Sequence, residues 1–295
     1  MNELSYLPFS IIAACLATVG ALIIGVDQAL KRSNWSANRR RLTVFTVAAV
    51  SVGWFAVSVA LASLEAYRGA PGRPPTIEFG ILVPILVGCL MIWRWPAVIR
   101  LMDALPPAWV IAVQFYRVEG ATFLILYASK LLPGIFALPA GIGDVGVGLA
   151  ALAIGINASA GRPPGLRTAL LWNLFGIADL IIALGTGFLS SPSPFQIFAL
   201  DRPNELISVF PLVLIPTFLV PLAVILHIIS LIQLGRVDGR SRAMSSLRGT
   251  GERARQATRR SQTLRSIRLP HDGLDRLGRF LSWCKAQATS RNRRS

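Results

Sequence analysis

Residues 121–141, ATFLILYASKLLPGIFALPAG, decide the fold: the run is apolar over a length that can cross a bilayer, and Lys130 stands near its middle. About 20 apolar residues, at 1.5 Å each, traverse roughly 30 Å of hydrocarbon. Working outward, the same pattern recurs. The sequence predicts an all-α, polytopic membrane helix bundle with seven spans, over 8–29, 42–63, 79–93, 118–138, 141–160, 168–189 and 206–235. Composition agrees, with 53% of the 295 residues hydrophobic and 15% charged and a mean hydropathy of +0.57. Such values exclude an ordinary water-soluble enzyme. The third run is short, with Thr76 and Ile77 available to lengthen it. The seventh contains Pro211, Pro216 and Pro221 and is expected to kink.

Loop charge sets the orientation, because Lys and Arg flanking the spans stay on the cytoplasmic side. The 31–41 loop carries Lys31, Arg32, Arg39, Arg40 and Arg41, the 94–117 connection has Arg94, Arg100 and Arg117, and the next such loop holds Arg162 and Arg167. Opposite them, Arg68 and Arg73 are balanced by Glu65 and Glu78, and Arg202 by Asp201 and Glu205. Every loop fits seven spans with the N-terminus outside and the C-terminus in the cytoplasm. The 94–117 connection is interrupted by Pro106 and Pro107, so it is expected to lie along the cytoplasmic interface, anchored by Trp109 and Tyr116.

The bundle is expected over 1–235, and residues 236–295 form a second region. That tail holds 16 Lys or Arg against 4 Asp or Glu, a net of +12 out of +16 for the chain. Its first part, 236–270, reads as disordered. Leu274, Leu277, Leu281 and Cys284 recur at helical spacing, so 272–286 reads as an amphipathic helix. Such a tail suits anionic lipid headgroups on the inner leaflet. Nucleic acid is the weaker partner, since interleaved aromatics and a nucleic-acid-binding motif are missing. Cys15, at the end of Ile12-Ala13-Ala14-Cys15, resembles a lipoprotein cleavage box, but no basic residue precedes the run and the apolar stretch continues beyond it. The three cysteines show neither metal-ligand nor disulfide spacing, and they read as apolar fillers.

Polar residues within the spans mark the candidate site, because ionisable groups at such depth are costly and usually functional. Glu119 and Lys130 are eleven residues apart and share a stripe with Phe123 and Leu126. They are too far apart to touch. Asp179, mid-way along the sixth span, is therefore the expected partner of Lys130. Asp144 lies near the start of the fifth span, after a turn expected at Ala137–Gly141, and it either binds a cation or proton or caps its own helix. Gly141, Gly148 and Gly155 recur every seven residues and read as a helix-packing stripe. Asn173 reads as interhelical glue. His227 is the only histidine in a span; His271 lies in the tail, which leaves no bis-histidine haem site, and neither cofactor nor metal is expected.

The segments QFYRVEGATFL, FALPAGIGDVGVGLAA, WNLFGIADL and LIPTFLVPLAVILHIISL, within residues 112–234, resemble a family of uncharacterised bacterial multi-pass membrane proteins. The resemblance implies no activity, but it draws attention to Arg117, Asp144, Asn173, Asp179 and His227. Arg outnumbers Lys 27 to 3, as suits a high-GC bacterium, and the inner membrane is the expected location. Two functions from different classes fit. One is a binding or transport protein whose midplane site takes a small molecule or couples to protons. The other is a non-transporting assembly partner whose buried charges meet a second membrane subunit. Motifs of nucleotide-driven transporters, zinc proteases and serine hydrolases are absent, which argues against an enzyme.

Overall fold

The computed structural model describes residues 6–33, 35–70 and 72–237, with Gly239, Gly278, Arg279 and Ser282 besides. The chain divides after Asp238 into two units, and every element below belongs to the first. The tail features expected over 236–270 and 272–286 lie largely outside the described residues, although Gly278, Arg279 and Ser282 are helical and exposed.

The described residues form helices and no strands. In chain order they are α1 (Leu7–Arg32), α2 (Ala37–Ser63), α3 (Ile77–Arg94), the short α4 (Pro96–Ala104), α5 (Pro107–Ala128), α6 (Gly134–Ser159), α7 (Leu166–Ser190) and α8 (Ile215–Val237). All except α4 are long and apolar enough to cross a membrane. Helix α1 buries Ile11, Cys15, Leu22 and Val26 on one stripe, with Lys31 and Arg32 in its last turn where cations favour the helix dipole. On α2 only Ser58 and Ala62 are buried, and on α3 only Ile77 and Ile81, so these two helices flank the bundle with broad exposed apolar faces. Phe218 of α8 joins α2 to the core, taking Trp54 and Phe55 edge-on at 5.0 and 5.2 Å.

Four boundaries differ from the expectation, each for a local reason. The fourth long helix begins at Pro107 instead of 118, because Pro at the first helical position lacks only an N–H that would have no partner there. Consequently residues 107–117 are part of α5, and only α4 is a separate short helix. Gln233 of α8 donates from Nε2 to the carbonyls of Met102 (2.6 Å) and Leu105 (2.9 Å), which fixes the end of α4. Helix α5 ends at Ala128. Leu131 N–H donates to Leu126 O and Lys130 N–H to Tyr127 O, both at 2.8 Å, while Lys130 takes φ +57°. Those paired bonds form a Schellman cap with Lys130 in the left-handed position that glycine usually fills, and Pro133 then blocks continuation. Pro139 and Gly141, expected in a turn, lie inside α6. Finally, α8 starts at Ile215, so 206–214 is not part of it, and it opens with a π-helical stretch over Ile215–Leu219.

Helix α5 is not α-helical throughout: Val113–Gly120 is a 3₁₀ segment. Three residues per turn place Gln114, Arg117 and Gly120 above one another on the buried face. Against it lies the glycine stripe of α6. A Cβ on Gly141 would stand 3.0 Å from Gly120 O, one on Gly148 2.8 Å from Val118 N, and one on Gly155 2.7 Å from the Ala112 Cβ. The stripe therefore lets α6 approach the α5 backbone, as its spacing predicts.

That contact yields a paired expectation. Gly148→Leu overpacks the α5–α6 seam and is expected to lower the unfolding free energy of the purified protein by about 1–3 kcal/mol. Gly146→Leu, where nothing lies within 4 Å of the new Cβ, is expected to leave the unfolding midpoint unchanged or higher.

Candidate functional site

Arg117 on the 3₁₀ segment lies ten residues into α5, Asp144 ten into α6, Asp179 thirteen into α7 and His227 twelve into α8. At 1.5–2 Å per residue each is about 15–20 Å from the start of its helix, close to half-way along it. All four are buried. The Arg117 guanidinium joins them. Nε donates to Asp144 Oδ1 at 2.7 Å, Nη2 donates to Asp179 Oδ2, and Nη1 points at both Gly176 O (3.4 Å) and His227 Nε2 (3.1 Å). Four of the five guanidinium protons are thereby engaged. A lysine, with one ammonium in place of a planar fork, could not span three helices in this way.

The outer ring of the network assigns its own protons. Asn173 approaches the carbonyl of Ala169 at 2.8 Å, and a carbonyl can only accept, so Asn173 Nδ2 faces it and also reaches Ser230 Oγ at 2.9 Å. Asn173 Oδ1 then faces His227 Nδ1 at 2.9 Å and must accept from it. With its proton on Nδ1, His227 offers the Nε2 lone pair to Arg117 and is neutral. With both carboxyl groups ionised, the cluster would hold one cation against two anions, so one further proton or cation balances it. Trp172 tilts over the His227 ring at 4.7 Å and donates from Nε1 to Val147 O, 3.1 Å away.

Three glycines seat these side chains in succession. Asp144 of α6 lies on Gly120 of α5, Asp179 of α7 on Gly143 of α6, and His227 of α8 on Gly176 of α7; a Cβ at any of them would collide with the residue it seats. Each helix thus supplies both a polar group and the gap into which its neighbour's group fits.

Of the residues predicted from sequence, the structure brings together Arg117, Asp144, Asn173, Asp179 and His227, and it leaves out two. Lys130 does not pair with Asp179: it is exposed in the turn after α5, where its carbonyl accepts from Arg202 Nη1 at 3.3 Å. The reason is the cap that ends the helix before Lys130, which leaves Arg117 as the cation at mid-depth. Glu119 is half-buried and accepts from Thr122 Oγ1 at 3.1 Å, with no hydrogen bond to the network. Ser230 and Gln114 were not predicted. Gln114, one 3₁₀ turn from Arg117, is fully buried, yet neither end of its amide has a hydrogen-bond partner among the described residues.

Two cavities flank this layer. One of about 330 Å³ lies between the Ser190 end of α7 and the start of α3, and Asp144 is among its lining residues. The other, about 580 Å³, lies among the Arg32 end of α1 and the starts of α5 and α7. Between the second cavity and the network stands an apolar cluster of Ile111, Val147, Ala151, Ala169, Trp172 and Leu234.

Arg117→Met would strand two buried carboxylates, and a loss of about 3–5 kcal/mol in unfolding free energy is expected. Adding Asp144→Asn and Asp179→Asn should restore most of it, as read by chemical unfolding of the three proteins side by side.

Residues 74–235 match the family model described as Domain of unknown function (DUF8737). No curated protein and no solved structure matches the chain. The matched stretch begins just before α3 and ends within two residues of the end of α8; every residue of the network falls inside it, and α1 and α2 fall outside. Since the match takes in more than half of the 295 residues, the chain belongs to the family of the domain of unknown function DUF8737.

Proposed function

We propose that the protein is an integral membrane protein of seven spans that binds and exchanges one positive charge at mid-membrane, as a proton-coupled binding or transport protein would. The observation that carries this reading is that Arg117 is the one cation set against two buried carboxyl groups, Asp144 and Asp179, beside a neutral His227, so that full ionisation leaves one negative charge unmatched. An uncompensated charge at that depth costs at least about 2.5–3.5 kcal/mol, so a proton or a cationic ligand completes the site. Asp144 is where it arrives: Arg117 engages Oδ1, and the 10% of the side chain that stays exposed belongs to a group lining the outer cavity. The cytoplasmic cavity stops short, behind the apolar cluster around Ile111 and Leu234. One open approach and one sealed approach to a central site is the arrangement alternating access requires. Gln114, buried and unpaired between the network and that cluster, offers a polar step towards the cytoplasm.

Placement in a membrane is supported by the apolar faces of α2 and α3, which include Phe45, Val57, Phe79, Leu86 and Leu90 as exposed side chains. Contiguous apolar surface on this scale does not stay in water. The basic loops favour the N-terminus outside, the excess of Arg favours a bacterial inner membrane, and the tail's net +12 favours contact with anionic headgroups.

Orientation is checked with single cysteines on a background lacking the native three. A membrane-impermeant maleimide applied to intact cells is expected to label Asp201→Cys and to leave Ala160→Cys unlabelled until the cells are opened. Charge exchange is checked by infrared spectroscopy of the protein in lipid nanodiscs. A protonated-carboxyl band that titrates reversibly with bath pH is expected in the difference between wild type and the Asp144→Asn, Asp179→Asn double variant, which keeps every other carboxyl. A difference spectrum with no such band at any pH would end the exchange reading.

A further inference from the structure

The outer cavity differs from the rest of the bundle interior in its chemistry. Its walls are apolar and aromatic, with Ile81, Phe123, Phe136 and Phe188 among them, and Phe123 and Phe136 meet edge to face with centroids 5.1 Å apart. Two carboxylates line it, Glu78 from the first turn of α3 and Asp144 from the middle of α6, and no Lys, Arg or His does. Both carboxylates have unused capacity. Glu78 Oε2 is buried without a hydrogen-bond partner among the described residues, and Asp144, 7% exposed, gives only Oδ1 to Arg117. About 330 Å³ is within the usual range of small-molecule pockets.

Building on the charge-exchange reading above, we propose that this cavity binds a small apolar molecule carrying an ammonium group, with the ammonium at Asp144 and the apolar body among the phenylalanines. Three features select that class. An anion would meet two carboxylates and no cation. A neutral molecule would leave the surplus charge of the network unmatched. An ammonium at Asp144 matches that charge, because its donors suit carboxylate oxygens and its charge is attracted to aromatic faces. It also replaces the proton at the network one for one: the protonated network and the ammonium ion give the ammonium complex and a free proton. The cavity lies between α3 and α7 and includes the exposed Leu82, so an amphiphile can enter from the outer half of the bilayer.

The test is equilibrium binding to the full-length protein in lipid nanodiscs, with phenethylamine compared against 2-phenylethanol and 3-phenylpropionate, which share its apolar body. Saturable binding of the amine alone is expected, with release of one proton per amine in weak buffer. Asp144→Asn should weaken amine binding by about tenfold or more. Ala183→Phe fills the cavity from the α7 wall and leaves every residue of the charged network in place. It should abolish amine binding while its unfolding temperature matches the wild type, which keeps the test decisive should Asp144→Asn fail to fold. Equal binding of the alcohol or the acid, or amine binding that survives Ala183→Phe, would overturn the proposal. If the amine fails to bind while the carboxyl band still titrates, the ligand class is wrong and the exchange site stands; if the band is missing too, both readings fall.

Discussion

The guanidinium of Arg117 is the joint on which this bundle depends. From α5 it reaches a carboxylate on α6, a carboxylate and a carbonyl on α7 and a histidine on α8, so four helices share one set of hydrogen bonds. In an interior that excludes water, a charged group without partners is among the costliest defects a fold can hold. Moving α5, α6 or α7 along its axis would strand a charge, and moving α8 would break the hydrogen bond between His227 and the guanidinium. Register among the four is therefore tied to charge pairing, a specificity that apolar packing, with its interchangeable side chains, supplies less sharply.

Such pairing is available only because the backbones come close. Gly120, Gly143 and Gly176 each leave room for a polar side chain from the next helix in sequence, while Gly141, Gly148 and Gly155 bring α6 onto α5. Close packing and polar contacts of this kind hold apolar helices together. The two sets of glycines divide the task, one set admitting backbone and the other admitting polar side chains. Outside the polar layer the requirements relax, and α2 and α3 touch the rest through few buried residues.

Much of this was legible in the amino-acid pattern. Seven apolar runs predict the seven long helices, and Arg117, Asp144, Asn173, Asp179 and His227 can all be singled out before any geometry is known. What the pattern misplaces is the cation. The polar residues of the network lower the hydropathy of their own helix, and the best window of α5 is the least apolar of the seven, at 1.3. A search for apolar length therefore slides towards 118–138, which leaves Arg117 at the boundary and carries Lys130 to the centre. Against that, the Pro-Pro pair at 106–107 signals a helix start and Pro133 signals a stop. Both were outweighed because the residue in the left-handed cap is a lysine, where a glycine would have announced the end. The 3₁₀ register of Val113–Gly120 and the consecutive seating of side chains on glycines come from contacts between helices, and no single segment encodes them.

The 3₁₀ segment also carries a mechanical consequence. Relative to α geometry, each of its eight residues is drawn out by about 0.5 Å and turned by about 20°. Converting the stretch to α-helix would shorten it by about 4 Å and rotate its two ends by about 160° against each other. Helix α5 is in this sense a screw thread with the arginine mounted on it: advance along the axis and rotation of the guanidinium away from its carboxylates are one and the same displacement.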